Sequence, residues 1–329
     1  MNDVLLVVVV VVALGFDFTN GFHDTANAVA TSVSTRALSP RMAVGVAAVA
    51  NLAGAFVTTA VAKTVGKGII DSGLATEQTV LAAVIGGIVW NLITWWLGLP
   101  SSSSHALIGG LVGAALAQSG EHGVLWHGIA HKVLIPALWA PTIAFAGAFA
   151  LLLAIFWSLQ RLTPGLANRS FRLGQLASGT WMAFTHGAND AQKTMGVIAL
   201  ALYSEGRIHE FYIPTWVKVA AGLAIAAGTY SGGRRIMRTL GQRVYQMEPA
   251  GGFAAQLTAG AVIYGSTRYG YPLSTTHVIS GAVMGSGATK RLSAVRWGVA
   301  GNIVFAWILT IPAAALVAAA CYWPIAAVV

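Results

Sequence analysis

Charged residues are scarce in this chain of 329 residues. Asp, Glu, Lys and Arg together make up 9% of the sequence, whereas hydrophobic residues make up 56%. A soluble domain contains roughly 25% charged residues, so a water-soluble protein of this length is excluded, and the bilayer must be the solvent for most of the chain. Cys321 is the only cysteine, which excludes a disulfide framework or a cysteine metal cluster within one chain.

The few charges are biased toward basic residues, with a net charge of +9. This excess fits basic loops on one side of a membrane better than nucleic-acid binding. The stretch from Val4 to Gly15 resembles the core of a signal peptide but lacks a basic segment before it and a clear cleavage site after it. We therefore interpret it as the first half of a membrane helix.

Apolar segments recur along the chain at about the length that crosses a bilayer, roughly 20 residues. Ten spans are predicted: 4–33, 41–62, 78–98, 104–119, 133–157, 174–203, 214–232, 251–268, 274–288 and 293–320. Some are too long for one span and others too short. This irregularity predicts broken helices or re-entrant hairpins, and it allows as many as twelve elements.

Basic residues indicate the orientation, because Lys and Arg favour cytoplasmic loops. Twelve of the 19 lie in the connections at 34–41, 158–173, 233–248 and 289–296. Ten spans then place both termini outside. The most polar connection predicts a division into membrane repeat 1 at 1–160, a cytoplasmic linker at 161–173 and membrane repeat 2 at 174–329, with no soluble domain.

The strongest signal is an internal repeat. Residues 18–24 (FTNGFHD) align with 184–190 (FTHGAND), and residues 100–105 (PSSSSH) align with 272–277 (PLSTTH). Trp126 and Pro141 match Trp297 and Pro312 at nearly the same offset. Five spans in each half make the second copy upside down, which is typical of secondary transporters with a site at the membrane midplane. Duplication for purely structural reasons is the alternative.

The first pair of aligned blocks places polar residues inside apolar segments, where charge is costly. Gly21 and Gly187 are predicted to let each helix open, so that backbone groups face a bound ion. Asp24 and Asp190 are candidate cation ligands or proton acceptors, with Asn20 and Asn189 beside them. Asp190 and Lys193 could instead form a salt bridge on one helix face. Asp17, whose repeat partner is Ala183, is predicted to lie nearer the outer surface.

The second pair of blocks carries hydroxyl groups directly after proline. Such residues cap the N-terminus of a helix, and a helix N-terminus binds phosphate-like anions through its free N–H groups. The candidate anion ligands in these blocks are Ser102, Ser103, Ser104, Ser274, Thr275 and Thr276. Plain capping is the alternative for either block alone. His105 and His277 follow and could donate to the anion or relay protons, although a packed neutral histidine is the commoner case.

At these residues the sequence resembles the inorganic phosphate transporter (PiT) family, whose members carry a Gly-Ala-Asn-Asp signature once in each half. Residues 187–190 match it directly, and residues 21–28 match the first copy with Phe22 and His23 in place of Ala and Asn. Lys193 stands where the first copy has Asn27, a form typical of bacterial members. The likeness covers essentially the whole chain, and the first block and residues 101–105 especially resemble short actinobacterial proteins of the family.

The resemblance implies an all-α polytopic membrane protein with an inverted repeat and a homodimeric assembly. It implies phosphate uptake across the cell membrane by symport with H⁺ or Na⁺, with no enzymatic activity, organic cofactor or resident metal. It places the anion among the six hydroxyl residues and Asp24, Asn27, Asn189 and Asp190, with His23 and Lys193 as accessory residues. Some bacterial relatives carry a neutral metal–phosphate complex, and a few carry sulfate.

Three other functions remain open from the residues alone. A sulfate permease is the nearest, since sulfate and phosphate are both tetrahedral oxyanions. A membrane-embedded metalloenzyme is the second, because His23, His105, His186 and His277 lie at the polar blocks, although they form no close-spaced ligand pair. A passive channel is the third, and the paired carboxylates argue against it.

Overall fold

A computed structural model describes residues 3–161, 163–232, 236–237 and 239–328. The predictions for Leu162, Arg234, Arg235 and Arg238 lie outside the described residues. The helices of the first half are α1 (Asp3–Ser34), α2 (Pro40–Gly54), α3 (Ala60–Lys67), α4 (Glu77–Leu97), α5 (Ser103–Ser119), α6 (Trp126–Ile129) and α7 (Ile135–Ser158), with a π-turn at Ala130–Leu134 joining α6 to α7.

The helices of the second half are α8 (Pro164–Ser204), α9 (Thr215–Ser231), α10 (Pro249–Arg268), α11 (Thr275–Ala288) and α12 (Trp297–Val328), with a π-helical turn at Thr239–Arg243. The all-α prediction is confirmed. By length and composition, α1, α4, α6–α7 and α12 could each cross a membrane. Residues 164–173 of the predicted linker belong to α8.

The two halves pack as counterparts of each other. If α1 is exchanged with α8, α2 with α9, α4 with α10, α5 with α11 and α7 with α12, the principal helix contacts exchange as well. The α5–α12 contact has its counterpart in α11–α7, and the α1–α9 contact in α8–α2. The repeat seen in the sequence is therefore present in the packing, while the inversion across the membrane stays a prediction.

The predicted opening of the helices at Gly21 and Gly187 is wrong, because α1 and α8 run through these positions without a break. A Cβ atom on Gly21 would lie 2.4 Å from the carbonyl oxygen of Ile225, and one on Gly187 would lie 2.1 Å from that of Asn51. These glycines therefore allow the backbones of neighbouring helices to approach closely, as small residues do in membrane bundles.

The single span predicted at 41–62 is also wrong, since the helix ends at Gly54 and restarts at Ala60. The side-chain oxygen of Gln192 accepts hydrogen bonds from the backbone N–H of Val61 at 2.9 Å and of Ala62 at 3.3 Å. A side chain of the second half thus satisfies the free N-terminal donors of α3. The sequence of the first half alone carries no sign of this cap.

Candidate functional site

Two helix N-termini meet inside the bundle. We define tip 1 as residues 100–104, which join α4 to α5, and tip 2 as residues 272–276, which join α10 to α11. All residues of both tips are buried. The Ser104 hydroxyl donates to the carbonyl oxygen of Leu273 at 3.1 Å, so the two tips are in direct contact. The broken, hairpin-like elements predicted from the short spans are found here.

The predicted helix caps are present at both tips. Ser102 accepts from the backbone N–H of His105 at 3.1 Å, and Ser274 accepts from that of His277 at 3.3 Å. The backbone N–H groups of the preceding helical residues form no hydrogen bond within the described part of the chain, and they belong to Ser103, Ser104, Thr275 and Thr276. Unbonded N–H groups at a helix N-terminus attract anions.

Each half reaches across to the tip of the other half. In α1, the Asn27 amide donates to the hydroxyl of Thr276 at 2.9 Å and of Thr275 at 3.3 Å. In α8, the Lys193 ammonium donates to the Ser104 hydroxyl. Asn27 and Lys193 are counterparts in the repeat, and so are Thr276 and Ser104. The two contacts between the halves are therefore equivalent in the repeat, although the residue types differ.

Lys193 is the only lysine buried in the described bundle, at 1% exposure. Its ammonium donates to Asp190 Oδ1 at 2.5 Å and to the carbonyl oxygen of Leu273 at 2.8 Å, as well as to Ser104. Thr275 donates to the other Asp190 oxygen at 3.4 Å. The salt bridge that the sequence allowed is thus formed, and its positive charge lies between the two tips.

The residue before each aspartate anchors the hairpin of its own half. His23 Nδ1 lies 2.6 Å from Asp24 Oδ1, and because a carboxylate only accepts, Nδ1 carries the proton. Its Nε2 lies 3.2 Å from the Thr94 hydroxyl near the end of α4. Asn189 donates to the Thr267 hydroxyl at 2.8 Å and to the Tyr271 carbonyl oxygen at 3.1 Å. His23 therefore performs the anchoring that Asn189 performs in the second half.

Three ligand atoms of different residues converge beside the tips. One atom each from Asp24, His186 and Asp190 lies within 4.8 Å of the others, and all three residues are buried. His186 Nδ1 lies 3.0 Å from the Asn51 side-chain oxygen, while the Asn51 amide donates to Thr229 at 2.8 Å. An amide oxygen cannot donate, so the His186 proton is on Nδ1.

This tautomer leaves the lone pair of His186 Nε2 facing Asp190 Oδ2, 3.3 Å away, and Nε2 has no hydrogen-bond partner among the described residues. The Lys193 ammonium balances the charge of Asp190, so the Asp24 carboxylate and the His186 lone pair leave one negative charge at this point uncompensated. The arrangement therefore suits a bound cation. The prediction that no metal resides in the protein is not tested by these contacts.

Comparison with known proteins adds the family. The sequence model of the phosphate transporter family matches residues 20–171 and 158–318. The chain belongs to this phosphate transporter family. A Mycobacterium bovis relative, described as a probable low-affinity inorganic phosphate transporter, is 53% identical over 97% of this chain and 77% of its own. A Bacillus subtilis relative of the same description is 43% identical over 97% of both chains.

A solved structure has the same fold as this family member. It is described as the sodium-dependent phosphate transporter, and its TM-score is 0.86 with coverage of 99% of this chain and all of the other. The two sequences are 24% identical. The predicted family and the predicted absence of an enzymatic role are confirmed, since the matched proteins are transporters.

Some residues of this phosphate transporter family member lie away from their predicted partners. The rings of His105 and His277 contact each other, with centroids 4.7 Å apart, and His277 stacks on Trp307 at 3.9 Å. Trp307 also donates to the Pro100 carbonyl oxygen at 3.1 Å. The two histidines thus support the tips by packing, and their contact with an anion stays a prediction. Asn20 lies one turn before Asp24 in α1, fully buried.

Sequence reasoning missed three contributors. The sequence patterns offer His186 only as a metal ligand of a rival function, give no sign of Asn51 and do not indicate that Asp17 is fully buried. The placement of Asp17 toward the outer side of the membrane stays a prediction. The position of His186 directly before Gly187, opposite Asn20 in the repeat, was the available signal. Asn51 gave none, because its role depends on the packing of α2 against α8.

Proposed function

We propose that this chain is a secondary transporter that imports inorganic phosphate by symport with a cation, H⁺ or Na⁺. The observation that carries the proposal is the convergence of two unbonded helix N-termini, the Lys193 ammonium and two buried aspartates on one point. Membership of the phosphate transporter family supports phosphate as the substrate.

The anion is proposed to bind between tip 1 and tip 2. The free N–H groups and the hydroxyls of both tips supply donors, and Lys193 supplies a positive charge. Lys193 bonds to the Ser104 hydroxyl and to the Leu273 carbonyl oxygen. Phosphate would take over some of these bonds, so that the ammonium links the substrate to Asp190.

The coupling between cation binding and phosphate binding follows from the net charge of the buried residues. With neutral histidines, Asp24, Asp190 and Lys193 sum to one negative charge (two aspartates minus one lysine), which opposes anion binding. A monovalent cation among Asp24, His186 and Asp190 cancels it. At an effective dielectric constant of about 20, a unit charge about 5 Å from phosphate contributes about 3 kcal/mol, or roughly a hundredfold in affinity. Cation and phosphate therefore strengthen each other's binding.

Buried carboxylates also favour phosphate over sulfate. Phosphate at neutral pH still carries a P–OH hydrogen that can be donated to an aspartate, whereas sulfate carries none. A site that accepts a substrate hydrogen rejects the analogue that lacks it, because the acceptor is left unpaired. The sulfate alternative is accordingly weaker than the phosphate proposal.

The membrane arrangement is part of the same proposal. We place the protein in the cell membrane with both termini outside, as a lipid-embedded homodimer without nucleic-acid partners. The basic connections support this orientation, with Arg36, Arg161 and Arg291 among the described residues on the proposed inner side.

The test is uptake of labelled phosphate by the purified protein in proteoliposomes. Gradients of Na⁺, of pH or of neither are imposed in turn, with and without Mg²⁺ and excess unlabelled sulfate. We expect one of the two gradients to drive concentrative phosphate uptake. Excess sulfate should not inhibit this uptake. A Mg²⁺ requirement would indicate a metal–phosphate complex as the carried form.

The matched variants are Asp190→Asn and Glu121→Gln. Asp190 is fully buried beside the tips, whereas Glu121 is an exposed carboxylate in the turn after α5. Loss of uptake in the first and full uptake in the second are expected. Full concentrative uptake by the Asp190 variant, or inhibition of wild-type uptake by sulfate as strong as by phosphate, would refute the proposal.

A further inference from the structure

A third aspartate lies in the same bundle, without a hydrogen-bond partner in the part of the chain that the structure describes. Asp17 is fully buried in α1, and neither of its carboxylate oxygens has a hydrogen-bond partner among the described residues. By contrast, Asp24 contacts His23 and Asp190 contacts Lys193. A buried carboxylate that is not paired is among the most costly groups in a protein interior, so this one calls for a ligand that the protein itself does not provide.

Further unpartnered oxygens surround Asp17. Asn20 lies one turn away in α1, and Thr194 lies one turn after Asp190 in α8, which packs against α1. Both side chains are close enough to act on the Asp17 carboxylate. The Asn20 oxygen and the Thr194 hydroxyl are both buried and both without a hydrogen-bond partner among the described residues. Four oxygen atoms of three side chains thus lie close together, and no charged donor among the described residues bonds to any of them.

A fourth side chain lies at the same level of the bundle. Gly87 of α4 lies beside Phe16 of α1, and Thr94 of α4 contacts His23 of α1. Asn91 is midway between the two α4 positions, as Asn20 is between the two α1 positions. Asn91 is fully buried, and its side-chain oxygen and nitrogen are both unpartnered in the described structure.

The duplicated fold does not require this cluster. In the aligned blocks, the counterpart of Asp17 is Ala183 and that of Thr194 is Ala28. The second half therefore packs the same helices without these oxygens. The cluster is also separate from the tips, since Asp17 precedes Asp24 by about two turns of α1, or about 10 Å. A role in ligand binding explains the oxygen cluster better than a role in helix packing.

We propose that Asp17, Asn20 and Thr194, with Asn91 beside them, form a second cation site of the transport cycle. Its occupant is a coupling cation, Na⁺ or a proton, because carboxylate, amide and hydroxyl oxygens are the ligands of small hard cations. The inference rests on the proposed function, since it adds a second cation to the symport that the tips perform.

The charges nearby link this site to the anion site. Asp190 and Lys193 of α8 are the charged groups close enough to act on Asp17, and Asp24 lies further along α1. A cation on Asp17 cancels a negative charge that opposes phosphate at the tips. It also leaves more of the Lys193 positive charge available to the substrate. Occupation of either site therefore favours occupation of the other.

The experiment measures the limiting accumulation of phosphate in proteoliposomes at a fixed membrane potential. Asp17→Asn keeps the shape of the side chain but removes its negative charge, so one positive charge fewer accompanies each phosphate. At 100 mV this lowers the limiting accumulation by at least roughly 50-fold. Phosphate exchange without net flux is measured in parallel, and the loss in accumulation should exceed any loss in exchange by at least about tenfold.

The controls separate this inference from the proposed function. Thr31→Val removes another buried hydroxyl of α1 that has no hydrogen-bond partner among the described residues. Thr31 lies about 21 Å along the helix from Asp17, so this variant should accumulate phosphate as the wild type does. Failure of the wild type to exchange phosphate would refute the proposed function itself. Wild-type accumulation by Asp17→Asn would refute the second cation site while leaving phosphate transport intact.

A further variant decides the question if Asp17→Asn does not yield folded protein. Thr194→Val removes one ligand and no charge, so the cation concentration for half-maximal uptake should rise by about tenfold. The Na⁺ and pH gradients are varied separately, and the gradient whose effect weakens identifies the occupant. An unchanged response to both gradients would overturn the inference.

Discussion

Replacement of Lys193 by methionine isolates the buried ion pair between α8 and the tips. Methionine keeps most of the apolar stem and removes the ammonium group. That group is bonded to Asp190 at 2.5 Å, to the Leu273 carbonyl oxygen at 2.8 Å and to Ser104. After the change, the Thr275 hydroxyl, at 3.4 Å, is the one hydrogen-bond donor that the fully buried Asp190 retains among the described residues.

The expected loss of unfolding free energy is about 3–5 kcal/mol, which is typical when one partner of a buried ion pair is removed. Most of it is the cost of leaving the Asp190 charge uncompensated. The double variant Lys193→Met with Asp190→Asn removes that charge as well. It should therefore be more stable than the sum of the single changes predicts, with a coupling energy of about 1–3 kcal/mol.

The assay is equilibrium unfolding in mixed micelles, followed by helical circular dichroism, for the wild type, both single variants and the double variant. Lys63→Met is the control, because Lys63 is exposed on α3 and its replacement should change the stability by no more than about 0.5 kcal/mol. Additive single effects, or a Lys193 variant as stable as the control, would show that the ammonium and Asp190 do not depend on each other.

Three further predictions concern other parts of the bundle. Gly187→Val should lower the unfolding free energy by about 1–3 kcal/mol, because its Cβ would lie 2.1 Å from the Asn51 carbonyl oxygen. Gly15→Val is the control, since a Cβ there meets nothing within 4 Å. Equal losses of thermal stability in the two variants would contradict the packing role of Gly187. Asn51→Leu frees the His186 tautomer and should raise the cation concentration for half-maximal phosphate uptake by about tenfold, and an unchanged cation dependence would remove His186 from the site. Glu121→Cys, with the native cysteine replaced by serine, should react with a membrane-impermeant thiol reagent in intact cells, and labelling only after permeabilisation would reverse the proposed orientation.

The residues of the site could be predicted from the sequence, but the shape of the helices that carry them could not. Proline followed by serine or threonine predicts a helix start, and Ser102 and Ser274 cap α5 and α11 as expected. At Gly21 and Gly187 the predicted opening of the helix is wrong, because a glycine inside a polar segment is compatible with an opened helix and with a close contact between two helices. Only the carbonyl oxygens of Ile225 and Asn51, more than 100 residues away in the chain, decide between these two interpretations.

Composition and repetition by themselves determined that this chain is a membrane protein made of helices, with two related halves that each carry an aspartate and a run of hydroxyls. These features are local, because hydropathy, capping and proline act on neighbouring residues. The tertiary structure alone decided that Asn27 and Lys193 cross to the opposite tips, that Asn51 fixes the His186 tautomer and that Asp17 is buried with no hydrogen-bond partner among the described residues. Those outcomes depend on which helices pack together, and the free energy of that packing arises from contacts between segments that are far apart in the sequence.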